Sequence, residues 1–156
     1  MEKGAHSHHK FEFEVQKFYL HTMETDLIIA AIDHIHQKAN QALENKDVSD
    51  FVKHFDDTLN YKDASGITIS KKQLTSDLQR AFRNIKAYQT SHYRIKSSLE
   101  NDTFTEKIAR KSVLIKSNLL LFTKKQTIQT EEINHWKYSC GEWKITAVEI
   151  VLEEKY

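Results

Sequence analysis

The sequence contains no proline, only three glycines and one cysteine in 156 residues. The single cysteine, Cys140, excludes a fold that is held together by internal disulfides. Without proline and with so few glycines, strong bends in strands have to come from bulges, where one strand carries an extra residue. No stretch approaches the ~20 apolar residues that span a bilayer, and the first ten residues are polar, unlike a signal segment. We therefore expect a cytoplasmic protein with no membrane partner.

An excess of charge of one sign is also absent. The chain has 23 Lys and Arg residues against 22 Asp and Glu residues, for a formal net charge of +1. Nucleic-acid-binding proteins concentrate Lys and Arg on one face, and no such block occurs here. The pair Lys71-Lys72 lies at a predicted helix start, and Lys124-Lys125 at a predicted hairpin turn. We therefore expect no nucleic-acid partner.

Aromatic residues are plentiful, with eight Phe, six Tyr and two Trp. This content argues against intrinsic disorder, and the chain length fits one domain. Residues 1–21 are predicted to be a polar, His-containing tail with a helical lead-in from residue 11 to residue 20. The histidines of the tail and of the rest of the chain show no spacing that would bring three or four of them together. We therefore expect neither a metal nor a cofactor.

Apolar residues recur at helical spacing from Leu27 to Leu43, which predicts an amphipathic helix that begins at Thr22 or Thr25 and ends near residue 45. Asp47 or Ser49 is predicted to begin a short second helix. Ser70 is predicted to cap a third, whose apolar face runs from residue 74 to residue 85.

Alternating apolar and polar residues predict strands at 57–63, 91–99, 107–122, 127–138 and 143–152, of which the last four form an antiparallel meander. In the last strand Ile145 and Val151 fall on one face, and Val148 and Ile150 on the other. Because the helices can cover only one face of a sheet, this pattern predicts that the second face meets another subunit. We therefore expect a homodimer that forms through the sheet.

The order of these elements resembles the nuclear transport factor 2-like superfamily, also described as cystatin-like or SnoaL-like. Its opening is similar to QALENKDVSDFVKHFDDTLNYKDASG, and its turn-Gly-x-Trp entry into the final strand is similar to CGEWKITAVEIVLE. The resemblance covers residues 22–154 and places the domain at 22–156, after the segment 1–21. It implies an α+β fold in which N-terminal helices pack on a strongly bent antiparallel sheet, cone-shaped with a central pocket. Dimerisation through the sheet is frequent in this superfamily.

The pocket lining should come from the sheet face that is turned toward the helices. Alternation along the strands predicts, as ligand-binding residues, Tyr61, Asp63, Tyr93, Trp136 and Tyr138, with Glu149 near the mouth. In an apolar pocket a Tyr can donate a hydrogen bond and an Asp can act as a general base, because desolvation raises the pKa of a carboxyl group. The resemblance implies the same chemistry, since enzymes of the superfamily move a proton beside a polarised carbonyl with a carboxylate or His.

Each of these residues also has an ordinary structural role. Asp63 precedes Ala-Ser-Gly and is typical of a residue that caps a turn, and the aromatic residues are typical of a core or an interface. Three hypotheses follow from the sequence. The chain is a domain that binds a small apolar molecule and dimerises through its sheet. Alternatively, it is an isomerase or lyase that uses Asp63 with Tyr61 or Tyr93, or an assembly module whose interior is filled by its own side chains.

Overall fold

The computed structural model of the chain describes residues 5–118 and 122–156. The helices are α1 (Ala5–Glu44), α2 (Val48–Val52) and α3 (Lys71–Phe82). The strands are β1 (Phe55–Lys62), β2 (Thr68–Ile69), β3 (Ile85–Glu100), β4 (Thr103–Asn118), β5 (Phe122–Ser139) and β6 (Glu142–Lys155). Residues 1–4 of the predicted tail and residues 119–121 of the predicted strand 107–122 lie outside the described residues. No helix in the described part is long and apolar enough to cross a membrane.

The six strands form one curved, open sheet in the order β2-β1-β6-β5-β4-β3. Strands β3 to β6 pair antiparallel with their neighbours in the chain, so the predicted meander is confirmed. Strand β1 pairs parallel with β6, which makes the sheet mixed rather than wholly antiparallel. A parallel pair needs a long connection, and α3 together with β2 to β5 provides it. The α+β class with helices on a bent sheet is confirmed.

Helix α1 begins earlier than the sequence pattern predicts. Residues 5–10, predicted as part of a tail, are helical. Thr22 and Thr25, predicted as caps, lie inside the helix and donate their hydroxyls to the carbonyl oxygens of Phe18 and His21, at 2.9 Å each. The helix continues through both positions because residues 5–44 contain neither proline nor glycine to end it.

The chain divides into two compact units, Met1–His34 and Ile35–Tyr156. Within the first unit, Phe11, Phe18 and Leu20 of the lead-in expose most of their side chains. The second unit contains the whole sheet and the site described below. The predicted domain boundary at residue 22 stays a prediction.

Short polar motifs fix the ends of the remaining elements. The side chain of Asp47 caps α2 by accepting the N–H of Asp50 at 3.0 Å, and Ser70 caps α3 by accepting the N–H of Gln73 at 3.2 Å. Both caps agree with the sequence prediction. The predicted hairpin turn at Lys124-Lys125 is wrong, because both residues pair with β4 within β5.

Strand β6 carries two register shifts that change the face its side chains occupy. Trp136 pairs with Ile145 but His135 pairs with Ala147, so Thr146 is an extra residue; Val151 is a second one, between the partners of Glu132 and Glu131. Such irregularities are the kind of bulge that the sequence predicts for a chain without proline. They place Ile145, Val148 and Ile150 together on the buried face. The apolar residues that the sequence pattern assigns to two faces of β6 therefore lie largely on one buried face, because the extra residues shift the alternation.

Candidate functional site

The C-terminal part of α1 is joined to the sheet by polar side chains at helical spacing. His36, Asn40 and Glu44 follow one another at intervals of four residues and so share one face of the helix. Nε2 of His36 lies 2.5 Å from Oε1 of Glu106 on β4. Asn40 lies 3.1 Å from Nδ1 of His92 on β3, and Glu44 accepts the backbone N–H of Thr90 at 3.2 Å. Polar contacts therefore hold this end of the helix against β3 and β4.

Glu106 is a buried carboxylate, with a relative exposure of 1%. Its Oε1 contacts His36 and accepts hydrogen bonds from Nε1 of Trp136 at 2.8 Å and Nδ2 of Asn134 at 3.4 Å. Its Oε2 accepts Nε of Arg94 at 2.9 Å. Burial alone would raise the pKa of Glu106, but the hydrogen bond and charge of His36, the Trp136 hydrogen bond and the Arg94 charge lower it to about 2. The carboxylate is therefore ionised at neutral pH, and Nε2 of His36 carries the shared proton.

A second set of polar groups continues from this carboxylate along the inner face. The ring centroids of His36 and His92 are 4.4 Å apart. Nη1 of Arg110 donates to the side-chain oxygen of Asn40 at 2.8 Å, and its Nε donates to Glu132 at 3.0 Å. Burial, followed by the neighbouring His36 and Arg110, lowers the pKa of His92 to about 4. His92 is therefore neutral at neutral pH, and Arg110 and Glu132 neutralise each other.

A cavity of about 160 Å³ lies between this polar wall and the helices of the second unit. The wall contributes His36, Arg110, Glu132, Asn134 and Trp136. Apolar side chains line the remaining surface, namely Ala39, Leu43, Phe51, Phe55, Leu74, Leu78, Ile145 and Val148. Within residues 5–118 and 122–156, no cluster of His, Cys, Asp and Glu side chains could hold a metal ion.

His54 also lines the cavity, at the junction between α2 and β1. Its backbone oxygen accepts the N–H of Ile145 at 3.0 Å, which fixes it beside the start of β6. Nε2 of His54 is buried. Among the described residues, it is the one buried side-chain nitrogen or oxygen without a hydrogen-bond partner. Burial, and then the positive charge of Lys53, lowers the pKa of His54. A neutral imidazole with one buried, unpartnered nitrogen therefore lies among the residues that line a partly open, largely apolar cavity.

Two tyrosines, Tyr61 on β1 and Tyr88 on β3, complete the lining. Burial is the main cause that raises the pKa of both phenols, and Glu132 adds to the effect at Tyr61. Tyr88 donates its hydroxyl proton to Oγ of Ser112 at 2.9 Å. Both phenols are therefore neutral hydrogen-bonding groups at neutral pH.

Of the six predicted ligand-binding residues, the fold brings only Tyr61 and Trp136 to the cavity. Asp63 lies just beyond the end of β1, where its Oδ1 accepts the N–H groups of Ser65 and Ile67 at 2.9 Å each. These hydrogen bonds, with that of the Ser65 hydroxyl first, lower the pKa of Asp63. Asp63 is therefore an ionised turn cap outside the cavity, and its pairing with Tyr61 or Tyr93 as acid and base is wrong.

Tyr93 lies on the opposite face of the sheet, with 68% of its surface exposed. The strand pairs Arg94 with Ile108 and Lys96 with Lys107, which leaves Ile95 as an extra residue. Alternation counted across this irregularity assigns Tyr93 to the wrong face. The inner face of β3 instead carries polar side chains, including His92 and Arg94, because they contact the buried groups described above.

The remaining two predicted residues also lie outside the cavity. Tyr138 is 60% exposed near the end of β5, where its ring packs against Trp143 at 5.5 Å between centroids. Glu149 is flanked by the inward-facing Val148 and Ile150, so its side chain lies on the outer face and forms an ion pair with Lys62 at 3.3 Å. Whether Tyr61 and Trp136 contact a ligand stays a prediction.

The sequence interpretation missed His36, His54 and Glu106. His36 falls within the apolar stripe of α1, between Ile32 and Ala39, and Glu106 alternates with the buried Phe104 and Ile108. A polar residue at such a position is a candidate for a paired, buried group. That pattern could have identified both residues. His54 carries no comparable pattern, because the burial of its ring depends on where β6 passes.

Comparisons with known proteins place this geometry among solved folds. No protein-family model and no curated protein matches the chain. Among solved structures, a putative scytalone dehydratase from Novosphingobium aromaticivorans is similar, with 10% identity and a TM-score of 0.72 over 86% of this chain and 91% of that one. A domain of unknown function with a cystatin-like fold from Nostoc punctiforme is 13% identical, with a TM-score of 0.60 over 78% and 74% of the two chains.

A third similar structure is a ketosteroid isomerase-like protein from Erwinia carotovora atroseptica. It is 12% identical, with a TM-score of 0.60 over 79% of this chain and 95% of that one. The chain has the nuclear transport factor 2-like fold. The resemblance seen in the sequence is confirmed at this level. At such low identity a shared nuclear transport factor 2-like fold does not transfer an activity, so function has to be argued from the cavity.

Proposed function

We propose that this domain binds a small, uncharged and largely apolar molecule in the cavity between the sheet and the helices. The observation that carries the proposal is a cavity of about 160 Å³ that is lined in part by His54, whose Nε2 is buried and has no partner among the described residues. A cavity of about 150 Å³ is known to hold one benzene ring. The ligand is therefore about the size of a single ring.

The charges of the lining support an uncharged ligand. Arg110 is paired with Glu132. The carboxylate of Glu106 is paired with Arg94 and His36. A charged ligand would have to lose its hydration without gaining an unpaired counter-charge. The hypothesis of a pure assembly module expects an interior that is filled by side chains, and the cavity favours binding over that alternative.

The test is binding of single-ring probes to the full chain. Benzene, toluene and phenol would be titrated separately and followed by ligand-detected NMR and calorimetry. The variant Ala39→Met extends a side chain of the lining into the cavity, and Ala81→Met places the same side chain on an exposed position of α3. We expect Ala39→Met to weaken binding at least tenfold and Ala81→Met to leave it unchanged, with both variants folded by circular dichroism.

Two results would overturn the proposal. The first is that none of the three probes binds to the wild-type protein at millimolar concentration. The second is that binding is equally strong in Ala39→Met. If Ala39→Met does not fold, Leu78→Phe replaces it in the test, because Leu78 lines the same cavity from α3.

A second function, proton transfer to and from a bound molecule, is favoured by the contact between His36 and Glu106. The carboxylate holds a proton on Nε2 of His36, so a ring that carries this single proton has its free electron pair on Nδ1. A base oriented in this way and placed in a cavity wall can remove a proton from carbon beside a carbonyl group. The proton would pass from carbon to Nδ1 and return to carbon in the reverse step.

Exchange of the α-protons of cyclohexanone in D₂O tests this second function, with the signal loss followed by proton NMR. We expect the protein to accelerate exchange, and His36→Gln to remove about a hundredfold or more of that acceleration. His34→Gln, an exposed histidine of the same helix, is the control and should change nothing. Exchange no faster than in buffer would rule out the base and leave ligand binding untouched.

We also propose a homodimer through the outer face of the sheet. On that face, Tyr93 and Leu152 are 68% and 46% exposed and line a shared groove with Ala109. Exposed aromatic and aliphatic groups at the centre of a patch are typical of interfaces. Sedimentation of the full chain, described below, tests this assembly.

A further inference from the structure

The polar groups of the cavity differ in whether their hydrogen bonds are already made. Arg110, the indole N–H of Trp136 and the hydroxyl of Tyr88 all have partners within the protein. Nε2 of His54 is buried and has none among the described residues. A buried polar atom without a hydrogen-bond partner is unfavourable. A ligand group that pairs with such an atom therefore adds more to the binding free energy than a ligand group that pairs with an atom that already has a partner.

The surroundings of His54 define where such a partner would sit. Its backbone N–H donates to Phe51 at 3.3 Å, and its backbone oxygen accepts from Ile145, so both main-chain groups are used. The rings of Phe51 and Phe55 stand edge to face, with centroids 5.2 Å apart, and both line the cavity beside it. Trp136 of β5 pairs with Ile145, the residue that donates to the backbone oxygen of His54. Glu132 lies roughly 13 Å further along β5. Within the cavity lining, the imidazole therefore lies beside the apolar rings of Phe51 and Phe55.

The chemistry of a neutral imidazole limits the ligand group further. Nε2 is a donor in one tautomer and an acceptor in the other. A hydroxyl group can pair with either, since it both donates and accepts, whereas a carbonyl oxygen can only accept. A methyl group of the same size would leave the nitrogen unpaired.

We infer that His54 determines the ligand specificity of the cavity, and that the preferred ligand is a single ring that bears a hydroxyl group, as in a phenol. This inference rests on the proposed binding function. The ring of the ligand contacts the apolar lining, and its hydroxyl group pairs with Nε2 of His54.

Phenol and toluene provide the test, because they differ only by a hydroxyl in place of a methyl group. Their dissociation constants would be measured by calorimetry on the wild-type chain and on His54→Phe, His54→Gln and His34→Phe. We expect the wild-type protein to prefer phenol by about five- to tenfold, the effect of one hydrogen bond. His54→Phe should abolish or reverse this preference, and His54→Gln, which keeps a hydrogen-bonding side chain, should retain most of it.

His34→Phe is the matched control, because it makes the same substitution at an exposed histidine of α1 that does not line the cavity. The preference for phenol should be unchanged in this variant. Equal preference for phenol in the wild type and in His54→Phe would overturn the role of His54 while leaving the binding function intact. Failure of both probes to bind the wild type would instead overturn the binding function itself.

Discussion

Oε1 of Glu106 lies 2.5 Å from Nε2 of His36, although the two residues are 70 positions apart in the sequence. This contact joins α1, which forms one side of the cavity, to β4 of the sheet that forms the other. Glu106 is buried and so is its partner, which has a relative exposure of 3%. The pair is therefore a structural requirement of the cavity, whatever the cavity binds.

The first prediction concerns the loss of this carboxylate. Glu106→Gln keeps the size of the side chain but removes the charge that balances Arg94 and holds the proton of His36. Breaking a buried ion pair typically costs about 3–5 kcal/mol, and we expect a loss of that size in the free energy of unfolding. Urea denaturation followed by circular dichroism measures it.

The control for this variant is Glu149→Gln on the outer face of the same sheet. Glu149 forms an ion pair with Lys62, and the two side chains are 45% and 47% exposed. A pair of this kind contributes under about 1 kcal/mol. Similar losses in the two variants would contradict the role that we assign to the buried carboxylate.

The second prediction is that the free energy of unfolding decreases as the pH is lowered, in two overlapping pH ranges. The pKa of His92 is lowered from 6.5 to about 4, so its contribution is complete above pH 6.5 and is lost as the pH falls toward 4. The pKa of Glu106 is lowered from 4.5 to about 2, so its contribution is complete above pH 4.5 and is lost as the pH falls toward 2. For Glu106 the linked change is about 3 kcal/mol.

Four charged or titratable groups near His92 set its behaviour, namely His36, Arg110, Glu106 and Glu132. His92→Gln removes the titrating ring, and we expect the decline between pH 6.5 and 4 to become shallower in this variant. Urea midpoints measured at half-unit intervals of pH test the prediction. An unchanged pH profile in His92→Gln would show that another group dominates that range.

The third prediction separates the turn at Asp63 from the cavity. Asp63→Ala removes the acceptor of the Ser65 and Ile67 amide protons, and we expect a loss of about 1 kcal/mol in the free energy of unfolding. Binding of phenol or toluene should not change. A large loss of binding with little loss of stability would restore Asp63 to the site from which the structure removes it.

The sequence predicted the elements of this fold better than the positions of its side chains. Caps such as Asp47 and Ser70 act within a few residues, so their effect is visible in the local sequence. The order of helices and strands follows from periodicity in the same way. The parallel pairing of β1 with β6 joins distant parts of the chain, and no local pattern predicts it.

Side-chain positions were misjudged wherever a strand carries an extra residue. Ile95 shifts the register of β3, so Tyr93 and Leu99 fall on different faces although both have odd numbers. Polar side chains on the inner face add to the difficulty, because His92 and Arg94 look like solvent-facing residues in a simple alternation. They are inside because Glu106 and His36 need partners there.

The final prediction concerns assembly through the outer face of the sheet. Tyr93 and Leu152 line a groove there that also contains Lys111, Glu131 and Glu154, so apolar groups lie among charges of both signs. Such a surface can meet its own copy across a twofold axis, with opposite charges facing each other. We expect the wild-type chain to sediment as a dimer in analytical ultracentrifugation. Leu152→Lys should shift it to the monomer, because a desolvated charge would then face the partner.

Ile67→Lys is the matched control for this variant. Ile67 is also an exposed aliphatic residue, at 60%, but it lies between β1 and β2 at the far edge of the sheet. Ile67→Lys should leave the sedimentation coefficient unchanged. A monomeric wild-type protein would reject the sheet dimer outright, and a dimer that survives Leu152→Lys would place the interface elsewhere. Phenol binding should persist in the monomeric variant, because Leu152 does not line the cavity.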